Sequence, residues 1–167
     1  QDSIAGVQRR LVPLLRQAKA RNAFVNLDME DYRLKDLTLA LFKEVAGQAE
    51  FRDWAGLGLV IQAYLKDSLR DIEELAAWAT RRGAPTTVRL VKGAYWDYET
   101  VIARQQGWPC PVFTRKPETD ANFEACLLRL IEAHPVLETA IASHNIRSVA
   151  TGLAAAEDHD GVLVRAD

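Results

Sequence analysis

The 167-residue sequence has few cysteines, no large excess of charge of either sign and no long hydrophobic run. Its two cysteines, Cys110 and Cys126, are not arranged as a C-x-x-C pair, and Cys126 follows an apolar helical spacing with Phe123 and Leu127. We therefore expect two free, unreactive thiols in a reducing compartment. A net charge of -2 offers no basic field for a nucleic-acid backbone or an acidic bilayer, so we expect no nucleic-acid partner for this segment.

Membrane and export signals are missing from the hydropathy pattern as well. The apolar stretch 56–63 is far shorter than the roughly 20 residues that a membrane helix needs. The first residues contain no hydrophobic region of a secretory signal. The sequence thus favours a cytoplasmic protein.

The residues that are present, 49% hydrophobic and 26% charged, are typical of one globular domain. Apolar residues at helical spacing alternate with short apolar runs, which predicts an α/β fold with a parallel sheet. The predicted helices occupy the first twenty residues to about Asn22, Tyr32–Ala46, Asp67 or Ser68 to Ala79, Ala94–Gln106, Thr119 or Asp120 to Ala133, and Ile146–Ala156. The predicted strands are Ala23–Asp28, Gly56–Tyr64, Thr86–Val91, Leu137–Ser143 and Gly161–Arg165. No linker or repeat divides the chain, so we expect a single domain over residues 1–167.

Polar residues lie at or near the ends of four successive predicted strands: Asp28, Gln62, Arg89 with Lys92, and His144. Ligands bind at the carboxyl edge of parallel α/β sheets, so this order points to a binding site. Each residue also has a structural interpretation. Asp28 could cap a helix, Gln62 could satisfy a backbone group, Arg89 could belong to a buried ion pair, and His144 could be a core imidazole.

Basic residues near helix starts indicate an anionic ligand. Lys92 and Gly93 stand where a strand passes into a helix, so a cation, a close-approaching backbone and helical N–H groups would converge on a phosphate. A second basic pair, Arg115 and Lys116, precedes another helix and is preceded by the hydroxyl of Thr114.

Tyr95 and Trp96 supply flat apolar surface beside these cations, although a tryptophan in this pattern is more often part of the core. Cations with an aromatic platform favour a nucleotide-containing cofactor. The sequence contains neither the Rossmann fingerprint G-x-G-x-x-G nor the P-loop motif G-x-x-x-x-G-K-[ST], so neither motif explains this nucleotide preference. The carboxylates of Asp28, Glu30 and Asp31 have no histidine or cysteine partners at ligand spacing, so no metal site is expected.

Five motifs stand in order along the chain: N-L-D-M-E (26–30), L-V-I-Q-A-Y (59–64), R-L-V-K-G-A-Y-W-D (89–97), F-T-R-K (113–116) and S-H-N (143–145). Together they resemble the flavin-dependent proline dehydrogenases, and among them the proline dehydrogenase domain of the bifunctional bacterial proline utilisation A proteins. The resemblance implies a distorted (β/α)8 barrel of the TIM type, of which about five strand–helix units are visible here.

The resemblance also implies an activity, the oxidation of L-proline to Δ1-pyrroline-5-carboxylate by FAD, with quinone as the later electron acceptor. It implies a possible Δ1-pyrroline-5-carboxylate dehydrogenase domain on the same polypeptide and peripheral association of the complete enzyme with the inner membrane. By motif match, Asp28 belongs to the polar network of the proline site and Arg89 lies near the reactive flavin nitrogen, where its charge favours anionic flavin. Both are the predicted catalytic residues.

The remaining predicted site residues also follow from the motif match. The positions that match FAD contacts, besides Arg89, are Met29, Gln62, Val91, Lys92, Gly93, Ser143 and His144. Thr114 and Lys116 match contacts on the adenosine side, Trp96 matches the residue near adenine, and Tyr95 matches a tyrosine of the substrate pocket.

Two departures from the family pattern affect the expected activity. Ser143 replaces the more usual threonine and keeps the hydroxyl. The lysine and the adjacent arginine pair that hold the substrate carboxylate in the family have no match in the sequence. We therefore expect the segment to be part of a longer polypeptide or to depend on a partner, since a complete barrel has eight strands and about 250 residues. The alternative is a flavin- or nucleotide-binding β/α module that lacks the substrate clamp.

Overall fold

A computed structural model describes residues 4–157, 159 and 164–166 of the chain. The helices are α1 (Ile4–Ala20), α2 (Tyr32–Ala46), α3 (Ser68–Arg82), α4 (Trp96–Gln106), α5 (Lys116–Glu132) and α6 (Ile146–Glu157). The strands are β1 (Val25–Leu27), β2 (Leu57–Gln62), β3 (Thr86–Val91), β4 (Leu137–Ala142) and β5 (Val164–Ala166). None of the helices in the described ranges is long and apolar enough to cross a membrane.

The five strands form one parallel sheet in the order β1-β2-β3-β4-β5. Consecutive strands are neighbours, as in a barrel wall, which confirms the predicted α/β fold with parallel strands. β5 overlaps the predicted fifth strand at residues 164–165, and residues 161–163 of that prediction lie outside the described residues.

The central strands of the sheet are covered on both faces. All six residues of β2 are buried, and β3 and β4 are buried at most positions. A strand covered on both faces is expected to be a continuous apolar run, which is the pattern that predicted these strands. Helices α3 and α5 pack together and against β2, β3 and β4, so the main hydrophobic core lies between the sheet and this helical layer.

Local signals set the ends of most helices. The Asp31 side chain accepts a hydrogen bond from the backbone N–H of Arg33 and caps α2. Helices α3 and α4 end at Gly83 and Gly107, which have φ angles of 83° and 66°. A left-handed glycine at this position lets the chain leave a helix without steric cost.

The predicted start of α5 at Thr119 or Asp120 is wrong. The helix begins at Lys116, with Pro117 in its first turn and Arg115 at the N-cap. Proline fits there because it has no N–H to donate and its φ is already helical. The Glu118 side chain accepts the backbone N–H of Arg115, and this contact closes the first turn of α5.

A buried ionic cluster joins α2 to the start of α3. Lys35 is 2% exposed, and its ammonium lies 2.6 Å from Asp71, 3.1 Å from Asp67 and 2.9 Å from Asp36. Burial favours a lower pKa for Lys35, but the hydrogen bonds to the three carboxylates outweigh it and raise the pKa. We refer to Lys35, Asp67 and Asp71 as the helix cluster.

Candidate functional site

The structure aligns the carboxyl ends of its central strands. Gln62 at the end of β2 is in register with Val91 at the end of β3, which is in turn in register with Ala142 at the end of β4. Asp28 follows β1 directly, and Lys92 follows β3. Side chains from four strands therefore meet at one edge of the sheet, where ligands of parallel α/β folds bind.

Gln62 fixes the segment that follows β1. Its amide Nε2 donates to the carbonyl oxygens of Met29, at 3.0 Å, and Glu30, at 2.9 Å. The residue is 3% exposed, and its Oε1 is buried with no hydrogen-bond partner among the described residues. A buried acceptor without a donor is costly, so this atom fits a ligand N–H at the sheet edge.

The Asp28 carboxylate is exposed at the carboxyl end of β1. It accepts the backbone N–H of Met29 at 2.9 Å, while Asp31 caps the following helix, so the capping interpretation of Asp28 is wrong. The Tyr95 hydroxyl donates to the Glu30 carboxylate, and this hydrogen bond raises the pKa of Tyr95. Met29 is buried in the hydrophobic core at 5% exposure.

A cavity of about 390 Å³ opens beside the end of β3. Its lining brings together five residues that the sequence pattern singled out for cofactor binding, together with three others. The five are Lys92, Gly93, Trp96, Thr114 and Lys116, and the three are Tyr64, Thr119 and Asp120. Side chains from the β3–α4 connection and from the start of α5 therefore face the same cavity.

The two lysines of this cavity share one carboxylate. Lys116 lies 2.6 Å from Asp120, and Lys92 pairs with the other oxygen of the same carboxylate. Hydrogen bonds from Lys116 and then from Lys92 lower the pKa of Asp120. We refer to Lys92, Lys116 and Asp120 as the rim cluster. Its two cations and one anion leave a net positive charge that suits a phosphate-bearing ligand.

Gly93 is a glycine because the backbone passes directly over a tyrosine ring. Its φ is +126°, and a Cβ placed there would lie 2.4 Å from a ring carbon of Tyr64. The Tyr64 side chain is 2% exposed, and burial raises the pKa of its hydroxyl. A side chain at position 93 would therefore have to move this ring or the segment that holds Lys92.

Trp96 lies at the surface, so its interpretation as a core residue is wrong. It is 42% exposed, and its indole N–H donates to the carbonyl of Phe113 at 2.9 Å. This hydrogen bond ties the start of α4 to the segment carrying Thr114 and leaves the indole at the cavity wall. An exposed aromatic ring beside cations is a surface on which a heterocycle can stack.

The other predicted residues lie within β3 or directly after β4. Arg89 is half-buried in β3, in register with Val60 of β2 and Ala140 of β4. The Ser143 hydroxyl accepts the backbone N–H of Asn145 at 3.2 Å, and His144 is exposed. The core interpretation of His144 is therefore wrong.

Sequence reasoning missed three residues of this region. Asp120 was interpreted only as a helix cap, although its spacing of four from Lys116 is that of a helical ion pair. Glu99 is a carboxylate on the same helix face as the buried Ala103, which is an unusual place for a charge. Tyr64 ends the L-V-I-Q-A-Y motif, but nothing in the sequence shows that its ring lies against the backbone of Gly93.

The cysteines lie away from this chemistry. Both thiols are free, and burial raises the pKa of Cys126 to about 11. The expectation of unpaired cysteines is confirmed. Over the part of the chain that the structure describes, histidine, cysteine and acidic side chains form no group of three that could hold a metal ion.

Comparisons with known proteins place this architecture in a family. A family model described as proline dehydrogenase matches residues 2–164. The bifunctional protein PutA of Klebsiella aerogenes is 35% identical over 142 residues, which are 84% of this chain and 11% of that protein. Proline dehydrogenase 1 of Bacillus subtilis is 32% identical over 133 residues, which are 79% of this chain and 36% of that protein. The chain thus spans well under half of the length of these relatives.

Solved structures show the same fold. Proline utilisation A from Bdellovibrio bacteriovorus, inactivated by N-propargylglycine, superposes with a TM-score of 0.92 at 48% identity, over 94% of this chain and 16% of that one. Proline utilisation A from Corynebacterium freiburgense superposes with a TM-score of 0.89 at 37% identity, over 93% of this chain and 17% of that one. The parallel strands and helices described above are therefore a segment of a TIM-like barrel, and the chain belongs to the proline dehydrogenase family.

Proposed function

We propose that this chain is the flavin-binding part of a proline dehydrogenase, which oxidises L-proline to Δ1-pyrroline-5-carboxylate in the first step of proline catabolism to glutamate. The observation that carries the proposal is the sheet edge. There an unpaired buried acceptor, two lysines, an exposed indole and a half-buried arginine occupy the positions that the family motifs give to the cofactor.

The residues present fit FAD. The buried Gln62 Oε1 is an acceptor that a ring N–H of the isoalloxazine can satisfy. Lys92 and Lys116 provide charge for phosphate and ribose oxygens, and Trp96 with Thr114 forms a wall suited to the adenosine end. Ser143 and His144 follow the neighbouring strand and would extend this contact surface.

When bound, FAD would supply the hydride acceptor, which the side chains of this chain cannot provide. Arg89 would keep a positive charge at the middle of the sheet edge and so stabilise negative charge that develops there. Asp28 would accept hydrogen bonds from the ring nitrogen of proline, and Tyr95 would form a wall of the substrate pocket. The Tyr95 hydroxyl donates to Glu30, so the Tyr95 ring is already held in position before the substrate binds.

The proposal extends to the other domain, the electron acceptor and the membrane association of the complete enzyme. Relatives named as bifunctional PutA proteins favour a parent protein that also carries a Δ1-pyrroline-5-carboxylate dehydrogenase domain. We further propose that quinone is the final acceptor, which requires the complete cytoplasmic enzyme to associate peripherally with the inner membrane. The groups that hold the proline carboxylate would come from outside these 167 residues.

Absorbance spectroscopy of the full chain, with the sequence that flanks it, tests the proposal. We expect the yellow absorption of bound flavin, and we expect anaerobic proline to bleach it. Flavin that stays oxidised in the presence of proline would favour a binding module without turnover. A folded protein that binds no FAD would contradict both functions.

A further inference from the structure

Glu99 is a buried carboxylate in the first turn of α4. It is 4% exposed and lies on the inward side of the helix with Ala103. A buried charge is costly unless hydrogen bonds satisfy it, so its partners indicate what it does. No family motif assigned a role to this residue in the sequence analysis.

The Glu99 side chain bonds to the segment that carries Asp28. Its Oε1 accepts the backbone N–H of Tyr32 at 2.6 Å, across 67 residues of sequence. Tyr32 is the first residue of α2 and directly follows the segment 28–31. Because α4 directly follows the β3 connection that carries Lys92 and Tyr95, this hydrogen bond joins the two connections that flank the site.

Two other contacts hold the same segment, and both come from residues of the site. Gln62 donates to the carbonyls of Met29 and Glu30, and Tyr95 donates to the Glu30 carboxylate. A bound ligand competes with such groups for hydrogen bonds. Glu99 is not among the residues that line the 390 Å³ cavity, so its contact with Tyr32 can persist when ligand binds.

We propose that Glu99 is a positioning residue that acts through the Tyr32 backbone to hold the Asp28 segment in place against the Lys92–Tyr95 connection. Its consequence for catalysis rests on the proposed function, because it concerns the placement of Asp28 relative to flavin and proline. That Glu99 holds the Asp28 segment in place rests only on its hydrogen bond with the Tyr32 backbone. Misplacing a reacting group by an ångström can cost a large part of the rate.

Two substitutions separate the reach of the side chain from its charge. Glu99→Gln keeps the length and an acceptor oxygen but loses the charge, whereas Glu99→Asp keeps the charge and is one methylene shorter. In the full chain, we expect amide hydrogen exchange of the peptide containing Tyr32 to be about tenfold faster in Glu99→Asp and unchanged in Glu99→Gln. Glu74→Asp, on an exposed side chain of α3, is the control and should leave exchange unchanged.

Anaerobic stopped-flow reduction of the bound flavin by proline gives the second measurement. We expect Glu99→Asp to slow reduction about tenfold and Glu99→Gln to stay within about twofold of the wild type. The proposal is overturned if Glu99→Asp exchanges like the wild type, if Glu99→Gln is as slow as Glu99→Asp, or if a loosened segment leaves reduction unchanged. A wild type that does not oxidise proline would refute the proposed function instead, and the exchange data would still decide whether Glu99 holds the segment.

Discussion

The helix cluster and the rim cluster are built from the same residue types, lysine and aspartate, in two different environments. In the helix cluster, Lys35 and Asp71 are 2% and 4% exposed. In the rim cluster, the side chains of Lys92 and Asp120 are 24% and 31% exposed, and that of Lys116 is 73% exposed. The first cluster is closed between two helices, whereas the second lines a cavity.

This difference in burial separates a structural cluster from a binding cluster. A buried ion pair has already paid its desolvation cost, and removing one member leaves the other as an uncompensated buried charge. A partly exposed pair contributes little to stability, because water and salt screen it. The rim lysines can therefore exchange Asp120 for a ligand phosphate at small cost, and the helix cluster cannot exchange its partners.

Replacing Lys35 by methionine should produce the largest loss of stability. The substitution removes the buried cation from Asp71 and from the half-buried Asp67 and leaves them only the exposed Arg70, so the free energy of unfolding should fall by about 3 kcal/mol. Urea unfolding of the full chain measures it. Arg81→Ala, on an exposed residue of α3, should change the value by less than about 0.5 kcal/mol. A loss below about 1 kcal/mol for Lys35→Met would mean that both clusters are equally dispensable.

Replacing Lys92 by methionine should affect ligand affinity rather than stability. We expect the dissociation constant of FAD to rise about tenfold or more, since a charge-assisted hydrogen bond contributes about 1.5–3 kcal/mol. The free energy of unfolding should change by less than about 1 kcal/mol. Fluorescence titration with FAD checks the first value, with Lys43→Met on α2 as the control. Unchanged FAD affinity would remove Lys92 from the cofactor site.

A methyl group at Gly93 should be tolerated less well than one at Gly107. Gly93→Ala combines a φ of +126° with a Cβ 2.4 Å from the Tyr64 ring, so it should cost about 1–3 kcal/mol. Gly107 has a φ of 66° and open space around its Cβ position, so Gly107→Ala should cost only about 1 kcal/mol. Thermal unfolding of both variants measures the two losses of stability. Equal losses would show that the Tyr64 ring moves to accommodate the added methyl group.

The pH dependence of the rim cluster should be small and of one sign. The lysines hold the pKa of Asp120 below its usual value, so the folded state binds the proton less readily than the unfolded state. The stability that this pair contributes is present above the ordinary carboxyl pKa and is lost as the pH falls through the lower, folded value. Wild type and Asp120→Asn should differ by less than about 1 kcal/mol at neutral pH and converge in acid. A difference that grows on acidification would contradict the assignment.

Most of the sheet could be predicted from the sequence because its strands are buried on both faces. Leu57–Ile61 of β2 is an apolar run, and β3 and β4 carry apolar residues at half or more of their positions, a pattern that depends on little besides burial. The start of α5 was missed because Pro117 resembles a helix breaker, whereas a first-turn proline is compatible with a helix. Whether a proline ends or begins a helix depends on contacts such as that between Glu118 and Arg115.

The candidate site could be predicted only as far as its residues follow strand ends or motifs. Lys92, Gly93 and Trp96 stand in one motif and line one cavity. The pairing of Asp120 with Lys92 and that of Glu99 with the Tyr32 backbone could not be predicted, because these partners lie 28 and 67 residues away in sequence. Burial also distinguishes the helix cluster from the rim cluster. The local sequence around Lys35, Lys92 or Lys116 does not show how far each lysine is buried.

The rate at which proline bleaches the bound flavin in Arg89→Met tests most directly that this sheet edge is the reaction centre. Arg89 lies at the centre of the sheet between Val60 and Ala140, where its charge can act on the flavin. We predict that the variant keeps its fold and its flavin while anaerobic reduction by proline slows by about tenfold or more. An unchanged rate in a flavin-loaded variant would contradict the account.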